Sequence, residues 1–124
     1  ARDTYGRLAV VDALSGNASC GLVGLGVQAV SPRKVDRVSC GMVVEKNGSV
    51  LSAGAGAAAL GSPVNCVTWL ANTLGELGIP FKAGEVILSG SQSALVPVTD
   101  GDELECYIAG VGGCKVNFAG STKV

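Results

Sequence analysis

From Val38 to Val44 apolar residues fall at every second position: Val38, Cys40, Met42 and Val44. That spacing is the mark of a strand with one buried face. Asn47-Gly48 follows, and an extended run resumes from Val50 to Ala57. Asn-Gly between two such runs is the strongest short-range hairpin signal, because a type I′ turn needs positive φ at both central residues. The second arm, Ser52 to Ala59, consists of small residues that let another backbone or a ligand approach closely.

The period then changes. Ser62 can cap a helix, Pro63 suits the first helical position, and Val64, Val67, Leu70, Leu74 and Leu77 recur every three or four residues. Trp69 is expected to widen the apolar stripe. Gly78 supplies a left-handed stop, Ile79 its hydrophobic contact, and Pro80 prevents continuation. The spacing predicts a helix over 62–77.

Three strands are expected after it. Glu85 to Ser89 is a continuous apolar run, expected to be buried on both faces. Glu103 to Ala109 alternates, with Leu104, Cys106 and Ile108 inward and Glu103, Glu105 and Tyr107 outward. Cys114 to Phe118 alternates likewise, with Val116 and Phe118 inward and Lys115 and Asn117 outward, after a turn made by Gly110, Gly112 and Gly113. Before the hairpin, residues 8–18 fit a short helix, Gly21 to Val30 a glycine-interrupted strand, and Ser31 to Lys34 a loop broken by Pro32. The whole reads as mainly β (α+β), a sheet or partial barrel with one long helix packed on it. A length of 124 residues fits one domain, 1–124.

Composition narrows the function. Hydrophobic residues make up 48% of the chain, a packed globular composition. No apolar run reaches the roughly 18 residues of a membrane span. The start, Ala1 to Thr4, has no apolar h-region, so no signal peptide is expected. The formal net charge is −1 without a basic cluster, which argues against nucleic acid and against a membrane-surface helix. The 5 cysteines stand singly among apolar residues, without a CxxC, and read as small buried hydrophobes in a reducing cytoplasm. The chain has no histidine, which removes Ser-His-Asp and Cys-His mechanisms. Its 19 glycines follow no fixed period and read as turns and bulges between strands.

Four features could carry chemistry. Gly21 to Gly26 is glycine-rich but lacks the Rossmann pattern, so strand glycines are the better reading. Asp100, Asp102, Glu103 and Glu105 could attract a hard cation, yet Asp100-Gly101-Asp102 makes a good solvated turn into a strand. Asn17-Ala18-Ser19-Cys20 lies at a helix-to-strand junction, where Asn and Ser either cap or bind. Ser89-Gly90-Ser91-Gln92-Ser93 follows the expected buried strand, a place where polar residues commonly line a pocket.

Several segments together resemble one family. Asn17-Ala18-Ser19-Cys20-Gly21 is similar to the Asp-Asn-Ala-Ser stretch of 2-keto-4-pentenoate hydratases. Glu45 to Gly48 followed by Gly54-Ala55-Gly56 looks like their hairpin. Gly61-Ser62-Pro63-Val64-Asn65 leading to Trp69-Leu70-Ala71-Asn72 is similar to their Gly-His-Pro-x-Asn and Trp-Leu-Ala helix. Lys82 to Gly90 is similar to their most recognisable strand, and Val96-Pro97-Val98, Gly101-Asp102 and Gly110-Val111-Gly112 match in order. The sister 4-oxalocrotonate decarboxylases share these motifs.

The resemblance covers nearly the whole chain and corresponds to the C-terminal half of the family. It implies a fumarylacetoacetate-hydrolase-like partial barrel of mixed strands and a divalent cation, Mg²⁺ or Mn²⁺, that chelates a small keto acid and stabilises enolate charge. It also implies that the metal-binding glutamates and a catalytic lysine belong to the half preceding Ala1. No metal ligand and no catalytic residue is therefore assigned here. The family's Asp is Gly16 in this chain and its His is Ser62. What carries over is a substrate-side wall: Asn17, Ser19, Ser89, Gly90 and Ser91.

The expected function is thus a C-terminal portion, or truncated relative, of a hydratase of aromatic catabolism, inactive alone. The alternatives are a decarboxylase fragment, or a stand-alone module that binds a small acid or self-associates. A half-fold would expose sheet edges, so a homodimer or larger assembly, or a complementing N-terminal half, is the expected partner.

Overall fold

A computed structural model describes residues 22–119. The expected helix over 8–18, and the candidates Asn17 and Ser19, lie outside them.

Two hairpins build the sheet. Strands β1 (Gly41–Lys46) and β2 (Ser49–Ala55) are joined at Asn47 and Gly48, whose φ values of 52° and 77° are the paired positive angles that the Asn-Gly dipeptide predicts. Between Val44 and Glu45 the register shifts by one and leaves Leu51 as the extra residue of a bulge in β2. Strands β3 (Glu103–Ile108) and β4 (Gly112–Asn117) form the second hairpin, and Gly110 takes a φ of 75° in its turn. β1 pairs with β3, so the order is β2-β1-β3-β4, and the described strands are antiparallel throughout. The sheet is open rather than closed on itself.

Register sets the faces. Met42 stands opposite Ile108 and Val44 opposite Cys106. Cys106 stands opposite Cys114, and Leu104 opposite Val116. These share the inner face. Glu103, Glu105, Tyr107 and Lys115 take the outer one, where Lys115 and Glu103 pair at 2.6 Å. Val116, expected to be inward and buried, is 38% exposed.

The long helix, α1 (Pro63–Glu76), has the predicted ends. Ser62 Oγ accepts the Val64 N–H. At the other end the Ile79 N–H reaches the Leu74 carbonyl at 2.8 Å and the Gly78 N–H the Gly75 carbonyl at 3.0 Å, with Gly78 at a φ of 74°. This is a complete Schellman motif. Val67, Leu70 and Leu74 are half-buried, but Trp69 is 63% exposed and does not widen the buried stripe. Two short 3-10 turns complete the elements, at Pro32–Lys34 (capped by Ser31) and Gly56–Ala58.

Two expected strands are absent. Residues 22–30 do not join the sheet, although Gly24 and Gly26 run beside Val116 and Gly113 of β4. Glycines give a strand no side chains to pack and leave it weak. Residues 85–89 form no strand and pair with none of the described strands, with Val86 63% and Leu88 60% exposed. Their apolar run encodes a preference for burial, but a strand also needs a neighbour to hydrogen-bond, and none of the described elements runs alongside.

The core is correspondingly small. Among the described residues only Met42 and Ala59 are buried hydrophobics, and no large side chain is fully enclosed. No described helix is long and apolar enough to cross a membrane.

Candidate functional site

The inner face of the sheet and α1 do not close on each other. A cleft of about 1160 Å³ separates them. Met42, Val44 and Ile108 form its floor, Leu70 comes from α1, and the stretch 85–96 forms the wall. Ser89, Gly90 and Ser91 lie on that wall. Gly90 has a φ of 108°, and a Cβ there would meet nothing within 4 Å, so the main chain faces open space. Two hydroxyls and an exposed main chain above an apolar floor suit a small acid with a hydrocarbon tail. Next to them, Gln92 places a buried Oε1 with no hydrogen-bond partner among the described residues.

Two clamps hold this wall. The first is steric: a Cβ on Gly54 would stand 2.0 Å from the Gln92 carbonyl oxygen, so β2 touches the wall only because residue 54 has no side chain. The second is electrostatic and was not legible in the sequence. Asp102 is only 7% exposed, although its Asp-Gly-Asp context reads as a solvated turn. Its carboxylate pairs with Lys46 Nζ at 2.7 Å and accepts the Asn47 amide at 3.0 Å. It also accepts the Thr99 N–H at 2.7 Å and the Thr99 hydroxyl at 3.0 Å. Lys46 donates onward to the Pro97 carbonyl at 3.1 Å, which ties the wall's far end to the hairpin. The Lys46 ammonium, the Asn47 amide and the Thr99 N–H hold the Asp102 carboxyl well below the usual carboxylate range.

The other acids of that cluster do not converge. Glu103 pairs outward with Lys115, and Glu105 is exposed. Cys40, Cys66, Cys106 and Cys114 are free thiols and part-buried. Burial pushes the Cys106 thiol up, and the neighbouring Cys114 adds to the shift.

A cation fits poorly on these residues alone. Among the described residues no group of three His, Cys, Asp or Glu side chains could hold a metal ion. The cleft's acidic lining is Glu85, whose carboxylate accepts the Lys82 N–H at 2.9 Å.

The family model for the fumarylacetoacetate (FAA) hydrolase C-terminal region matches residues 1–119. The chain belongs to the fumarylacetoacetate hydrolase family. Within it, the chain is 46% identical over 112 residues to a 2-hydroxyhexa-2,4-dienoate hydratase of Comamonas testosteroni, covering 90% of this chain and 42% of that protein. It is 70% identical over 73 residues to a 2-hydroxypent-2,4-dienoate hydratase of Pseudomonas putida, covering 59% of this chain and 33% of that protein. In structure it is similar to the 4-oxalocrotonate decarboxylase of Pseudomonas putida G7, with a TM-score of 0.65 and 44% identity over 71% of this chain and 34% of that one. That decarboxylase is seen with calcium and acetate, and with magnesium and adipate. The chain spans less than half the length of the relatives it matches. The mainly β fold with one long helix is therefore a fumarylacetoacetate hydrolase fold.

Proposed function

We propose that this chain forms the substrate-side wall of a 2-keto-4-pentenoate (2-hydroxypenta-2,4-dienoate) hydratase and lacks activity by itself. The observation that carries the reading is the cleft wall Ser89-Gly90-Ser91, set over an apolar floor in a chain so similar to dienoate hydratases. Serine hydroxyls and free main-chain N–H groups hydrogen-bond a carboxylate, while Met42, Val44 and Ile108 accept a diene tail. From the resemblance alone, Asn17 and Ser19 are proposed as further substrate-side residues. Hydration also needs groups that move protons and stabilise enolate charge. The described residues offer neither a metal cradle nor a convergent acid–base pair, so no step of the reaction is assigned to them.

The first test is calorimetric titration of the purified chain with Mg²⁺ and Mn²⁺, with and without oxalate as a keto-acid mimic. The expected result is no metal-dependent oxalate binding. Tight binding that needs both would contradict the reading of a wall without chemistry. The second test joins the chain to the portion of the relatives it does not span and measures hydration of 2-hydroxypenta-2,4-dienoate. Activity should appear, and Ser89→Ala with Ser91→Ala should raise KM about tenfold, the worth of one or two lost hydrogen bonds. Unchanged KM would remove the serines from the site. Release of carbon dioxide from 4-oxalocrotonate without dienoate hydration would make the joined protein a decarboxylase instead.

A further inference from the structure

Cys106 and Cys114 form no sequence motif, yet the β3–β4 hairpin sets them directly opposite each other. Cross-strand partners point to the same side of a sheet, so both thiols lie on the inner face. Both line a small cavity of about 210 Å³. Gly24, Gly26 and Gln28 also line it, and Ile108 is shared with the larger cleft. A Cβ on Gly26 would stand 3.0 Å from the Gly113 carbonyl oxygen, so at that residue the main chain alone approaches β4. Both cysteines are free and only part-buried, within reach of a small solute.

The ladder decides what such a pair can do. The Ala109 N–H reaches the Gly41 carbonyl and the Asn47 N–H the Glu103 carbonyl, each at 2.9 Å. Residues 103 and 109 thus turn their main chain toward β1, and by alternation residue 106 turns its own toward β4. Cys106 and Cys114 are therefore a hydrogen-bonded pair, whose Cβ atoms stand at the wide end of the cross-strand range, about 5.5 Å. A disulfide wants its Cβ atoms about 3.8 Å apart, so a direct S–S bond would strain the ladder. An atom placed between the sulfurs removes that strain. With metal–sulfur bonds of about 2.3 Å, a bridge spans roughly 3.8 to 4.6 Å from sulfur to sulfur.

We propose that Cys106 and Cys114 form a two-coordinate site for a thiophilic d10 cation, copper(I), in the small cavity beneath β3 and β4. Binding forms two S–Cu bonds and releases two thiol protons to solvent, with no change in oxidation state. Zinc is excluded on ligand number. It takes four ligands, and among the described residues no third His, Cys, Asp or Glu joins the pair. Paired soft thiolates without carboxylate or imidazole select copper(I) over harder cations. Burial and the neighbouring sulfur hold Cys106 in its thiol form, so the cation displaces protons rather than meeting a preformed anion. This site is independent of the reading of the larger cleft.

The experiment titrates the reduced full chain, without oxygen, into copper(I) bicinchoninate, whose colour fades as metal leaves it. One copper per chain should transfer, and light scattering should show no metal-induced dimer. Cys106→Ser and Cys114→Ser should each weaken binding by more than about a hundredfold, the upper worth of a mere outer-shell partner. Cys40→Ser, Cys66→Ser and Cys20→Ser should leave it intact. X-ray absorption at the copper edge should show two sulfur scatterers, a readout that a variant's lost stability cannot imitate. Four outcomes overturn the proposal. One is no transfer of copper. Another is a site that survives both Cys106→Ser and Cys114→Ser, or that needs a third cysteine. A third is one copper shared by two chains, or zinc binding as tight as copper. The fourth is ready formation of a Cys106–Cys114 disulfide with oxidised glutathione, which would place the sulfurs too close for a bridging atom.

Discussion

At Gly54 a single hydrogen decides whether β2 can touch the cleft wall. Gly54→Ala should destabilise the chain by about 1–3 kcal/mol, the usual cost of overpacking, and should displace residues 91–93. Gly41→Ala is the control: a Cβ there meets nothing within 4 Å, and the change should stay within about 0.5 kcal/mol. Urea denaturation of the two variants distinguishes them. Asp102 allows a prediction in pH. Its folded pKa is lowered by Lys46, Asn47 and Thr99, so its contribution is fully present above the unfolded carboxylate value of about 4 and fades as pH falls through the folded one. The melting temperature of Asp102→Asn should lie several degrees below that of the parent at neutral pH, and the two curves should converge in acid. A constant gap across that range would show that charge is not the cause. Asp102 also marks where residue-scale reading stops. Its sequence neighbours announce a solvated turn, whereas Lys46 and Asn47, which bury it, come from the far side of the chain.

Elements whose signals are local were legible. Asn47-Gly48 specifies its hairpin, and Ser62, Pro63, Gly78 and Ile79 specify both ends of α1. Alternation in β3 gives the right inner set, Leu104, Cys106 and Ile108. Ser62→Ala should remove the one side-chain cap of α1 and cost about 1 kcal/mol, measured by the urea midpoint. A neutral result would mean that tertiary contacts alone hold the first turn. The run 85–89 misled because an apolar pattern records what a segment prefers to bury, not whether a neighbour is present to pair with it. Trp69 misled in the same way: helical spacing placed it beside the stripe, but no described element covers it. Ser89, Gly90 and Ser91 line the cleft, although the buried strand expected to present them is not formed.

At the scale of the whole fold, the described residues form an open sheet and a half-buried helix with two buried hydrophobic side chains, a small core. Urea should therefore unfold the isolated chain over a broad transition, with a slope near or below about 1 kcal/mol per molar, the low end for small domains. A steep transition would show that the chain completes its core by itself. Addition of the unmatched portion of a hydratase should steepen the transition and raise the midpoint, because binding to the folded state alone stabilises it. Fold class was readable from the order of elements. The openness was not, since among the described residues it depends on which elements meet across the cleft, a matter of distant contacts rather than local pattern.

The unpaired stretch 86–98 also makes the chain divisible. Proteases grip substrates as extended strands, and this stretch has no ladder bonds among the described residues to break first. It carries no Lys or Arg, so trypsin should spare it while a broad-specificity protease cuts it early. The cut would separate β1, β2 and α1 from β3 and β4, yet β1 would still pair with β3 from Met42–Ile108 to Lys46–Leu104. Asp102 would still grip Lys46 and Asn47 across the break. Two bands on a denaturing gel should therefore migrate as one species in solution, a natural split point at which the sequence could be severed and reassembled.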